Sequence, residues 1–105
     1  MIQDIQRIFT LSKTRIENFQ RQKDDRYQGA QTYFTEIRKE IDEAQDENKA
    51  DNTIYLEDEL GDIFWDYITL LNALASEGKI TSPEKVFERC YQKFSGRINE
   101  QGEDR

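Results

Sequence analysis

Glu36, Glu40, Glu43 and Glu47 recur at intervals of four, three and four residues, and Glu59, Asp62 and Asp66 follow at three and four. On an α-helix this spacing places side chains along one side of the cylinder, so each group would form a line of carboxylates. Carboxylate oxygens suit hard divalent cations such as Mg²⁺ and Mn²⁺. The chain has no histidine and one cysteine, Cys90. That excludes Cys/His zinc sites, a Cys–His nucleophile pair and an internal disulfide. Di-iron carboxylate chemistry, which uses Glu-x-x-His pairs, is a poor fit for the same reason. Any metal here must be held by oxygen.

The two acidic groups sit in different surroundings. Arg38 and Lys39 lie beside the first, and a solvated acidic face with local ion pairs accounts for it as readily as a site does. The second is set among Leu56, Leu60, Ile63, Phe64 and Tyr67, with no basic residue from Ile54 through Ser76. Carboxylates near a core cost several kcal/mol per ion unless a cation or a proton neutralises them. If the two segments pack antiparallel, Glu40 and Glu43 face Glu59 and Asp62 across one groove. The expected metal ligands are therefore Glu40, Glu43, Glu59 and Asp62, with Mg²⁺ as cofactor and Mn²⁺ as a substitute. A calcium or purely structural site, or an acidic face for a basic partner, is the competing reading. Gly61, between Glu59 and Asp62, costs about 1 kcal/mol relative to Ala inside a helix. Close helix approach, room for an ion cluster, or plain tolerance would each explain it.

These residues need helices to hold them, and the apolar residues supply the pattern. Four segments show three- and four-residue periodicity. The first runs from about Ile2 to Lys23, with Ile5, Ile8, Phe9, Leu11, Ile16 and Phe19 on its stripe. After a polar break at Asp24 to Gly29, Ala30, Phe34, Ile37, Ile41 and Ala44 mark a second helix, Ala30 to Asn48. Asp51, Asn52 and Thr53 can cap a third, Ile54 to Ser76, whose stripe is broad enough to be covered on most of its circumference. Ser82 and Pro83 start a fourth, with Val86, Phe87, Cys90, Tyr91, Phe94 and Ile98 on its apolar side. The pattern predicts an all-α four-helix bundle, one domain over residues 1–105, with Gln101 to Arg105 frayed.

Composition bounds the function classes. Leu, Ile, Val and Phe make up about 23% of the 105 residues, close to the level of disordered chains, but the consistent periodicity argues for a fold. The net charge of −7 and the lack of a basic stripe argue against nucleic-acid binding. No apolar stretch approaches the roughly 20 residues of a membrane span, and the N-terminus lacks a signal pattern, so a cytoplasmic protein is expected.

Lys39-Glu40-Ile41-Asp42-Glu43, then 15 residues from Ala44 to Asp58, then Glu59-Leu60-Gly61-Asp62 resembles the signature of the MazG-like all-α nucleoside triphosphate pyrophosphohydrolases: E-E-x-x-E, a spacer, and E-x-x-D. Glu59 to Trp65 is also similar to the family's E-L-G-D-x-x-W form, and Cys90 to Arg97 to its N-x-x-K-x-x-x-R. Lys39 replaces the first Glu of the doublet, and Cys90 stands where the family has Asn. The resemblance spans about Tyr33 to Arg97.

It implies Mg²⁺-dependent hydrolysis of a (deoxy)nucleoside triphosphate to the monophosphate and pyrophosphate, as removal of unwanted nucleotides. Glu40, Glu43, Glu59 and Asp62 would hold the metal. Lys93 and Arg97, four apart on one helix face, would neutralise the phosphates. Glu40 would be ligand or general base, kept ionised by Lys39. Trp65, with Tyr27 and Phe34, would stack on the base, although aromatics at helical spacing also serve as core. Broad stripes on a short chain predict a homodimer or homotetramer, as the family also suggests. The alternative is a non-enzymatic acidic helical module that binds a basic partner.

Overall fold

The computed structural model describes the whole chain, Met1–Arg105. It is all-helical, with α1 Ile2–Gln22, α2 Ala30–Asp46, α3 Thr53–Ser76 and α4 Pro83–Arg97. No helix is long and apolar enough to cross a membrane.

Each boundary has a local cause. Lys23 closes α1 in the left-handed conformation, with its N–H turned back to the last carbonyls of the helix. Gly29, at φ 70°, precedes α2, and a carboxylate from elsewhere in the chain caps it: Glu77 Oε2 accepts from the Ala30 N–H at 2.7 Å. The backbone conformation favours glycine, and a Cβ at Gly29, 2.8 Å from that same oxygen, would push the capping carboxylate aside. Ser82 accepts from the Lys85 N–H at 3.1 Å, and Pro83 opens α4. The α3 start differs from expectation. Asn52 is the capping residue, but its side chain makes no cap bond and instead donates to the carbonyl and carboxylate of Glu47, at 2.7 and 2.6 Å. It closes the α2–α3 link rather than serving the helix that follows.

α1, α2 and α3 run up, down and up, with α3 touching every other helix. Ile16, Ala30, Tyr33, Leu70 and Ala73 form the core where the three meet, with Tyr27, Ile37 and Leu74 packed around it. Phe19 stacks on Tyr27 with ring centroids 5.5 Å apart. A polar seam joins α1 to α3: the Ser12 hydroxyl donates to Thr69 at 2.8 Å, Asn72 Nδ2 donates to Ser12 at 3.1 Å, and Thr69 donates to the Trp65 carbonyl at 2.7 Å. All three side chains are buried, which makes this seam a device that fixes how α1 sits on α3.

Two expectations about coverage need correction. α3 is buried only in its C-terminal half, from Asp66 to Ala73, while Ile54, Tyr55 and Leu60 stand exposed in the other half. α4 buries Pro83 alone. Its only ring contact with another helix is Phe87, edge-on to Phe9 of α1 at 5.4 Å. The tail does not hang free: Asn99 N–H donates to the Glu103 carbonyl, Arg105 N–H to that of Arg97, and Arg105 Nε to that of Ser95.

Candidate metal centre

α2 and α3 pack antiparallel through a short link, and this brings two of the acidic turns together. One carboxylate oxygen from each of Glu40, Glu43 and Glu59 lies within 4.8 Å of the other two. All three residues are half-buried, and no cation of the chain pairs with them. Glu40 Oε2 and Glu59 Oε2 are buried with no hydrogen-bond partner at all. Asp62 is exposed, one turn along α3, and its charge acts on Glu40.

Such crowding shows in the proton affinities. Burial, then the Glu59 and Glu43 carboxyls, push the Glu40 carboxyl up to about 8. Lys39, expected to hold Glu40 ionised, is exposed and is not among the groups that shift it. Asp66 extends the line by another turn: it is 8% exposed, its Oδ2 is unpartnered, and burial with the charges of Glu36 and Asp62 raises it to about 6. The sequence flagged Asp66 only as a neighbour. The signal was there, since it lies four residues after Asp62 on a helix without a basic residue.

Three clustered carboxylates, two of which bury an oxygen without a donor, form a donor set that a proton or a hard cation satisfies and a surface acidic face would not need. Oxygen-only ligation fits Mg²⁺ or Mn²⁺ and not a soft metal. Gly61 has no neighbour within 4 Å of where a Cβ would sit, so helix approach within the subunit does not explain it.

The other expected site residues lie elsewhere. Lys93 and Arg97 are exposed on α4, which nowhere comes within 8 Å of α2 between Cα atoms, and neither makes an ion pair. Trp65 is half-buried on the side of α3 toward α1, in a hollow with Leu11, Thr14, Arg15 and Asn18. Tyr27 is engaged with Phe19 in the core. Phe34 is partly exposed on α2, less than two turns before Glu40. A cleft of about 470 Å³ between α1, the end of α3 and the start of α4 shares no residue with the acidic cluster.

No curated protein and no solved structure matches the chain. A family model described as the MazG nucleotide pyrophosphohydrolase domain matches residues 28–101, which takes in α2, α3, α4 and every acid of the cluster. With most of its length covered, and with paired acidic turns on antiparallel helices, the chain belongs to the MazG nucleotide pyrophosphohydrolase family.

Proposed function

We propose that the protein hydrolyses (deoxy)nucleoside triphosphates to the monophosphate and pyrophosphate in a divalent-metal-dependent reaction, clearing unwanted nucleotides from the pool. The observation that supports this best is the clustering of the Glu40, Glu43 and Glu59 carboxylates, of which Glu40 and Glu59 each also bury an oxygen without any donor. Glu40, Glu43, Glu59 and Asp62 are the ligands in this reading, with Mg²⁺ as the resident cation and Mn²⁺ as a substitute. When bound, the cation supplies Lewis acidity to the phosphate oxygens and offsets charge on the leaving pyrophosphate. Water attacks the α-phosphorus; its oxygen forms the new bond as the α–β anhydride bond breaks, and its proton passes to a carboxylate. Glu40, which buries an oxygen without a donor, is the candidate acceptor as well as a ligand; bound cation would favour its ionised form, the form that can take the proton. Lys93 and Arg97 bind the phosphate tail, and Trp65 is the candidate base contact. The functional unit is a homodimer or homotetramer.

A panel of nucleoside triphosphates incubated with Mg²⁺, with pyrophosphate and orthophosphate measured separately, tests this. Pyrophosphate release is expected. Orthophosphate alone would contradict α–β cleavage, and no turnover with any triphosphate would favour the acidic module for a basic partner.

A further inference from the structure

Carboxylates that hold a cation say nothing about which base is bound, and base recognition must fall to other groups. Trp65 is the chain's one tryptophan. It lines a hollow of about 410 Å³ with Leu11, Thr14, Arg15 and Asn18 of α1, within the roughly 300–1,000 Å³ of small-molecule sites. α1 lies outside residues 28–101, so the family match assigns nothing to these four residues.

Trp65 follows Asp62 by three residues and Glu59 by six, about 9 Å along the helix axis. Each step of three falls about 60° short of a full turn, so the surface of α3 passes from Glu59 through Asp62 to Trp65. The hollow thus continues the acidic face. From the α1 side, the charge of Arg15 acts on the Tyr33 hydroxyl together with those of Asp66 and Glu36, which sets the guanidinium near the end of the acidic line. A nucleotide whose phosphates lie over Glu40, Glu43 and Glu59 can reach the hollow with its base.

The groups there are few and differ in what they offer. The Arg15 guanidinium lies over the Phe19 ring, 4.2 Å from its centroid, and joins no ion pair. Its N–H fork is therefore available to a ligand. Thr14 donates its hydroxyl proton to the Thr10 carbonyl at 3.0 Å, so toward the hollow it can only accept. Half-buried Asn18 can both donate and accept. An aromatic face beside a donor fork sorts bases. Guanine sets two acceptors, O6 and N7, side by side, whereas adenine sets its amino group beside N7 and would oppose donor to donor. Cytosine also has adjacent acceptors, N3 and O2, but a smaller ring to stack.

We propose that the hollow between α1 and α3 is the base subsite and that it selects guanine: Trp65 stacks on the ring, and the Arg15 guanidinium donates to O6 and N7. This inference rests on the hydrolytic reading for where the phosphates lie, and its tests separate the two.

Emission from the lone tryptophan reports occupancy without catalysis. In the presence of Mg²⁺, guanosine monophosphate should quench it with a Kd at least about tenfold below that of adenosine monophosphate. Arg15→Ala should abolish that difference while the helical circular dichroism stays unchanged, and so should Arg15→Lys, which keeps the charge but loses the fork. The ratio of kcat/KM for GTP over ATP should fall by the same factor. Equal losses for both triphosphates would make Arg15 a phosphate contact and overturn the proposal. Tighter binding of the adenosine or cytidine monophosphate, or emission that no nucleotide changes, would overturn it as well. Selective quenching by guanosine monophosphate without turnover of any triphosphate would instead defeat the hydrolytic reading and leave the base subsite.

Discussion

Glu40 and Glu59 each bury an oxygen that nothing in the chain satisfies, and the consequences can be measured. The Glu40 carboxyl holds its proton up to about pH 8, while in the unfolded chain it releases it near 4.5. The contribution of that group to stability is therefore complete below about 4.5 and lost as pH rises through about 8. Without divalent cation, the Tm should fall across this interval; Mg²⁺ should raise it, and more at the alkaline end, where proton and metal no longer compete. Calorimetry with and without chelator checks the sign. Glu43→Gln or Glu59→Gln should lower triphosphate turnover by on the order of 100-fold or more while the helical circular dichroism stays unchanged. At Gly61, with open space around the absent Cβ, Gly61→Ala should stabilise the fold by up to about 1 kcal/mol in a urea melt. A drop in stability would mean that something outside the subunit approaches there.

At the scale of elements, the sequence located the helices well, because the signals that bound them are local. Serine and proline at the start of α4, and the apolar rhythm of α1 and α2, place the ends within about two residues. Spacing predicted the facing acids too, since two helices joined by a short link have little choice but to pack antiparallel. What spacing could not convey was which side chain serves which neighbour. Asn52 looked like a cap and closes the link instead. Glu77, just past the end of α3, caps α2 from 47 residues away. Ser12, Thr69 and Asn72 are polar, so no hydrophobic count would put them inside; only their mutual hydrogen bonds make the burial tolerable. Two stability predictions belong here. Glu77→Ala should cost about 1 kcal/mol through the lost cap. Ser12→Ala, which strands the Asn72 amide, should cost about 1–3 kcal/mol by denaturant titration.

For the whole molecule, burial was the property least legible in advance, since periodicity marks apolar faces without saying whether the same chain covers them. The stripes of α3 and α4 are real, yet the first half of one and nearly all of the other are bare in the subunit. Under the proposed homo-oligomer, Tyr91→Glu with Phe94→Glu should leave helix content intact and give a smaller species than the wild type in sedimentation velocity. Because α1, α2 and α4 each rest on α3, the three cannot be equally robust once they are separated from it. Amide protons in the middle of α3 should exchange with solvent deuterium only through global opening. Those along α4, held in a lone subunit by Pro83 and one aromatic pair, should exchange through local peeling that leaves the rest intact, and assembly should slow them selectively.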